Sequence, residues 1–191
     1  LHETDRLVLI QLNKTIKEAT KAFEDYNYAR AKLETDNFFW RTFADNYLEI
    51  VKQRVYQGSK EEKASAFYTL YHSLLTVLKL MAPITPYIAE ETYQNHFRKY
   101  ENQKSIHLES WPSAIKVKET KEDNKIWEKL IEIVSAVRQE KSKSHKSMKA
   151  EIVLTLPKED SSLLKPVLQD LKAVCCAKEI KEGKFEVEFL S

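Results

Sequence analysis

Asn37-Phe38-Phe39-Trp40-Arg41-Thr42-Phe43-Ala44-Asp45-Asn46-Tyr47-Leu48-Glu49-Ile50-Val51-Lys52-Gln53-Arg54 is the stretch that decides the fold. On a wheel of about 100° per residue, Phe39, Trp40, Phe43, Ala44, Tyr47, Leu48, Ile50 and Val51 fill one half. Arg41, Asp45, Asn46, Glu49, Lys52 and Gln53 fill the other, with Phe38 among them. Burying each large apolar side chain is worth roughly 1.5 to 3 kcal/mol, so this aromatic face draws other helices over it.

Those helices lie on both sides. Before it, Leu9, Leu12, Ile16, Ala19 and Phe23 recur at three- and four-residue steps from Asp5 to Asp25, and Tyr26-Asn27 is a break short enough to make neighbouring helices antiparallel. After it, Gly58-Ser59 reads as a helix end followed by a cap. Ala64, Phe67, Tyr71, Leu74, Leu78 and Met81 then predict a helix from about Lys60 to Met81, expected to be the most buried of all. The prolines of Ala82-Pro83-Ile84-Thr85-Pro86 stop it, with Thr85 as cap and Pro86 as first residue of the next helix. Ser105 to Pro112 reads as extended, and a further helix runs from about Lys121 to Lys141. Beyond it the period changes to two: Ala150–Leu156 and Lys184–Leu190 read as strands, Leu163–Val174 as a helix, Val174–Lys181 as a strand and Glu182-Gly183 as a hairpin turn. The predicted fold is mainly α: a helical bundle over residues 1–115, a helix and basic linker over 116–149, and a small β-α-β-β appendage over 150–191.

The composition agrees. Gly 2 and Pro 5 in 191 residues disfavour a sheet-and-turn architecture, and Lys+Arg 31 against Asp+Glu 29 leaves a net charge of only +2, so a polyanion site must come from local clustering. Adjacent Cys175 and Cys176 match no metal spacing and read as reduced thiols, which suits the cytoplasm; the histidines show no ligand spacing, and no metal is expected. No run of roughly 18 apolar residues suggests a membrane span. The chain begins at Leu1, already close to helical pattern, as a piece of a longer polypeptide would.

Three blocks in order resemble the anticodon-binding domain of class I aminoacyl-tRNA synthetases, over about residues 1 to 115. The first is Trp40 followed by Asp45-x-Tyr47-Leu48-Glu49-x-x-Lys52; the second is Pro83, Pro86, Tyr87, Ile88, Glu90 and Glu91; the third is Ser105-Ile106 followed by Trp111-Pro112. The variant Tyr47-Leu48-Glu49-x-Val51-Lys52-x-Arg54 and the Ser-Ile segment resemble the valine-specific branch, and the ending, without a coiled-coil arm, looks archaeal-like or stops short. The resemblance implies a partner, a valine-accepting tRNA, and covalent continuity with catalytic and editing domains. ATP and magnesium would serve the full-length enzyme and neither would bind this chain. Lys146-Ser147-Met148-Lys149 is not the Lys-Met-Ser-Lys-Ser loop of the class, so no catalytic residue and no aminoacylation are expected of this chain alone.

Candidate contacts divide by chemistry. Asp45 and Glu49 read as ion-paired to Arg41 and Lys52 along one helix face rather than as acid and base. Trp40, Phe43 and Tyr47 read as core; Phe38, beside Arg41, could stack on an unpaired base or pack on a neighbouring helix. Lys52, Arg54, Arg98, Lys99 and Lys104 are candidates for a phosphate-facing patch, the alternative being a solvated surface. Arg138, Lys141, Lys143, Lys146 and Lys149 form the densest basic run, suited to RNA backbone contact or to a mobile linker. Trp40, Asp45, Tyr47, Glu49, Pro83, Pro86, Glu90, Glu91 and Trp111 are the expected structural motif. The rival assignments are the same domain of an isoleucine- or leucine-specific enzyme, and a helical protein-interaction domain that binds no RNA.

Overall fold

A computed structural model describes residues 1–190. Helix α1 (Glu3–Glu24) turns at Tyr26 into α2 (Tyr28–Asn37), which continues without a break through a π-helix (Phe38–Tyr47) into α3 (Leu48–Gln57). Helix α4 (Lys60–Met81) and α5 (Pro86–His96) follow, then an irregular stretch with a 3-10 turn at Ile106–Leu108, and α6 (Asp123–Lys143). The C-terminal unit is β1 (Ile152–Leu156), α7 (Lys158–Leu163), α8 (Leu168–Val174), β2 (Ala177–Glu182) and β3 (Glu186–Phe189).

The expected boundaries have local causes. A Cβ on Gly58 would lie 2.5 Å from the Arg54 carbonyl oxygen that its own amide closes the helix upon. Ser59 and Glu62 then form a reciprocal capping box: the Glu62 amide donates to Ser59 Oγ at 3.2 Å, and the Ser59 amide to the Glu62 carboxylate at 2.8 Å. Pro86 opens α5 as expected, but Thr85 is not its side-chain cap; its hydroxyl donates back to Met81 O at 3.3 Å.

Helix α1, rather than α4, is the most enclosed. Leu7, Val8, Leu9 and Ile10 are buried in succession, so every side of its first half is covered. Helix α4 approaches α1 through the small residues Ala66, Thr69 and Ser73, which let two backbones come close. The main core runs unbroken from α1, the π-helix, α3 and α6 into β1, α8 and β2, while a smaller cluster of Leu75, Leu78, Ala82, Ala89, Tyr93, Phe97 and Ile106 holds α4, α5 and the 3-10 turn together.

The sheet corrects one expectation. Its order is β2-β1-β3, with β1 parallel to β2 and antiparallel to β3, so β2 and β3 are not a hairpin. Ile152, Val153, Leu154 and Leu156 of β1 are buried, which suits the middle of a sheet, whereas β2 and β3 carry the alternating charges of edges. Gly183 carries the chain over the end of β1 from one edge to the other. Its amide donates to Leu156 O at 2.8 Å, and a Cβ there would meet Thr155 Cγ2 at 2.9 Å. Among the described residues, no helix is long and apolar enough to cross a membrane.

Candidate nucleic-acid interface

The π-helix rearranges the face that a regular wheel assigns. Bonding from i to i+5 widens each turn, and residues five apart come into line. Phe38 and Phe43 therefore stack, with centroids 6.4 Å apart and planes at 28°, and Phe43 meets Tyr47 at 6.1 Å. Phe38 is only 3% exposed and cannot reach a base, while Trp40 is 58% exposed and lies edge-on to Phe39 rather than in the core. The same widening separates Arg41 from Asp45, which form no ion pair among the described residues; Arg41 O accepts instead from Asn46 Nδ2 at 2.6 Å. Glu49 and Lys52 pair as expected, at 2.5 Å on the surface.

Two of the expected RNA-contacting cations are interior. Arg54, 4% exposed, donates to Asp5 at 2.6 and 2.9 Å and to Asp170 at 3.0 Å, joining α3 to α1 and α8. Burial alone would lower its pKa, but the two carboxylates outweigh burial and lift it above the ordinary value. Asp5 also accepts from Tyr47 at 2.8 Å and Ser65 at 2.6 Å, and burial, reinforced by Asp5, pushes the Tyr47 phenol far up. Lys141 is 1% exposed, and its ammonium donates to the carbonyls of Met148, Ala150 and Cys175 at 2.8 to 2.9 Å. Desolvation holds its pKa below the ordinary lysine value. Neighbouring burial pushes the Cys175 thiol up to about 12, so it stays protonated and inert.

The cations that remain outside fall into separate places. Lys52, Arg138 and Lys149 come together in an open groove of about 800 Å³ between the π-helix and α3, α6, and α8, beside the exposed ring of Tyr56. Arg138 is aimed by a 3.0 Å hydrogen bond to Asn46 Oδ1, and Asp45 and Glu49 form the acidic part of the wall. Tyr56 was not among the sequence candidates; the available signal was an aromatic residue just past Arg54, beyond the motif. Arg41 lines a different hollow, with Gln11, Lys14, Asn37 and Thr42. Lys143 pairs with Glu140 at 2.8 Å, and Lys146 lies 6.0 Å from the Phe189 ring centre.

Arg98, Lys99 and Lys104 do not join Lys52. Arg98 donates to Glu101 O at 3.4 Å, Lys99 covers the Tyr100 ring at 4.7 Å, and Lys104 O accepts from Gln94 Nε2 at 2.5 Å, all at the far end of α5. The proline motif is an exposed corner at Pro83 and Pro86. Glu90 ties α5 to the loop by accepting from Ser105 Oγ at 2.7 Å and the Ile106 amide at 3.0 Å; burial would raise its pKa, but these donors and Gln94 hold it below the ordinary range. Glu91 accepts from Asn95 at 2.9 Å. Trp111 pins the irregular stretch to α1, donating from its indole to Thr20 Oγ1 at 2.8 Å and meeting Phe23 edge-on at 5.0 Å.

Comparison with known proteins places this architecture. The family model described as "Anticodon-binding domain of tRNA ligase" matches residues 5–156. The valine–tRNA ligase of Anaplasma marginale is 36% identical over 180 residues, covering 93% of this chain and 21% of that protein. That of Thermococcus kodakarensis is 34% identical over 192 residues, 98% of this chain and 22% of its own length. That of Archaeoglobus fulgidus is 41% identical over 138 residues, 72% of this chain and 15% of its own. The chain thus spans about a fifth of the length of these relatives.

Proposed function

This chain belongs to the family of anticodon-binding domains of tRNA ligases, and we propose that it holds the anticodon arm of a valine-accepting tRNA within a longer valine–tRNA ligase polypeptide. One observation carries the placement of the site: Lys52, Arg138 and Lys149 converge beside Tyr56 in a single open groove, in a chain whose net charge is only +2. Side-chain cations that share a groove follow a phosphate backbone, and an exposed aromatic among them offers a stacking face to an unpaired base. Gripping the anticodon arm orients the acceptor end toward a distant active site. Catalytic and editing domains elsewhere in the polypeptide, working in the cytoplasm, supply the chemistry.

ATP and magnesium belong to that distant site. Among the described residues, no group of three or more His, Cys, Asp and Glu side chains is placed to hold a metal ion. The isoleucine- and leucine-specific alternatives are not favoured, because the relatives are valine–tRNA ligases.

The test is a titration of the chain with a valine tRNA transcript and an anticodon-swapped transcript at several salt concentrations. Tighter binding to the valine anticodon, with affinity falling steeply as salt rises, is the expected result. Absence of binding to either transcript overturns the proposal.

A further inference from the structure

The first half of helix α4 is inverted for a helix in water, while its second half buries Leu75, Val77, Leu78 and Leu80 in the ordinary way. The face it turns to α1 carries the small, buried Ala66, Thr69 and Ser73. The large residues Phe67, Leu70, Tyr71 and Leu74 lie on another face and remain partly open to solvent, Phe67 at 54%. With Phe43 and Leu48 on one side and Phe97 and Tyr100 on the other, they line an apolar groove of about 820 Å³. A contiguous exposed apolar groove is a surface on which another apolar face gains by packing.

The groove itself selects the occupant. Positions 67, 70, 71 and 74 follow the i, i+3, i+4, i+7 spacing of a ridge that receives another helix, and they extend along about 10 Å of α4. Among the described residues no Lys or Arg lines the groove, in contrast to the one holding Lys52, Arg138 and Lys149. Its ionisable members are His96 and Glu101, and the Glu101 carboxylate accepts from Tyr71 at 2.5 Å. The nearest cations, Lys99 over Tyr100 and Arg98 at the Glu101 carbonyl, stand at the rim by the end of α5 and not along the ridge of α4, so a phosphate backbone lying in the groove finds no counter-charge along its floor; an apolar helix face does not require one. About four-fifths of a full-length relative lies outside the region this chain matches, which is ample to contribute such a helix.

We propose that the groove between the π-helix, α3, α4 and α5 is the seat of an amphipathic helix from another part of the same polypeptide. The proposal rests on the family membership above and not on which groove binds RNA. The occupant presents its apolar stripe to Phe67, Leu70 and Leu74 and its polar face to solvent, completing the bundle beside α4.

Overlapping fluorescent peptides tiling the Anaplasma marginale valine–tRNA ligase outside its 180 matched residues would be titrated against the chain. One stretch with apolar residues at i, i+3, i+4 and i+7 is expected to bind, and Phe67→Lys to weaken it at least tenfold with an unchanged melt. Tyr26→Lys, at an exposed ring outside the groove, is expected to leave binding intact. Tyr100→Lys provides a second groove variant should Phe67→Lys misfold. The proposal is overturned if no peptide binds, if both groove variants bind as wild type, if sedimentation shows a dimer that Phe67→Lys dissolves, or if an anticodon stem-loop displaces the peptide. Loss of tRNA binding with peptide binding retained would remove the RNA assignment and leave the groove assignment standing.

Discussion

The seam between the bundle and the C-terminal unit and the corner between α4 and α5 are both filled by apolar side chains, yet the polar contacts that fix each of them differ. At the seam the contacts that decide the geometry are ionic: Arg54 between Asp5 and Asp170, and Lys141 in its ring of carbonyls. At the corner a compact apolar cluster carries the packing, and the charged contacts, Glu109 with Lys79 and Glu90 with the loop, lie at its edge. An apolar cluster tolerates small shifts, because its attraction has no direction. A guanidinium held by two carboxylates admits one arrangement, so the seam is the rigid region and the corner the adaptable one.

The hardest way to break this contrast is Arg54→Met. It leaves Asp5 and Asp170 buried without a cation and should cost about 3 to 5 kcal/mol, read as a large fall in thermal midpoint. A midpoint within a degree or two of wild type would show that the seam does not depend on its charge. Within the aromatic helix, Phe38→Ala should cost roughly 3 kcal/mol as a cavity, whereas Trp40→Ala should cost less than about 1 kcal/mol. The reverse order in chemical denaturation would restore the regular-helix wheel. At the corner, Glu109→Gln removes the negative charge facing Lys79 and replaces one of the two carboxylate oxygens that accept from Lys79 and Tyr93 with an amide donor, and should cost about 1 to 2 kcal/mol, with hydrogen exchange quickening in α5 and not in α8.

Acid provides a milder probe. The Arg6 guanidinium and the Thr120 donors hold the Asp123 carboxyl well below its ordinary value of 3.8. The unfolded chain takes up that proton first as pH falls. The clamp's contribution is therefore complete well above pH 4 and declines as pH drops below that value. Asp123→Asn should flatten this part of the acid limb, and an unaltered limb would count against the clamp. The smallest expected effect on stability is that of Lys149→Ala, within about 0.5 kcal/mol, while the salt slope of tRNA binding falls by about one.

Much of this was legible in the chain. The aromatic stretch, the Gly58-Ser59 stop and the Pro83 to Pro86 corner are local signals with local causes, and the structure places elements where they predict. The misplacements share a different origin. The wheel that assigned Phe38 and Trp40 assumed one angular step, and nothing in the residue types announces i to i+5 bonding. Arg54 and Lys141 look like surface cations in the sequence because lysine and arginine usually are; the partners that bury them lie 116 residues away at Asp170 and 34 away at Cys175. Glu182-Gly183 suits a hairpin and a crossover equally, and the decision rests with β1, whose two free edges must both be paired. In the candidate site, the residue types pointed to phosphate, but only the packing could show that Lys52, Arg138 and Lys149 share a groove.

The reach of the Arg54 contact also sets an order of events at the ribosome. At about 5 to 20 residues per second, Arg54 waits roughly 6 to 23 s for Asp170 to be made. The middle strand of the sheet waits for β3, at the very end of the described chain. Until then the nascent bundle has Asp5 but not the second carboxylate, and β1 has an uncovered edge. Among the joints of the described chain the seam is therefore the last to close during synthesis, and its nascent form is the one that a chaperone or a protease meets.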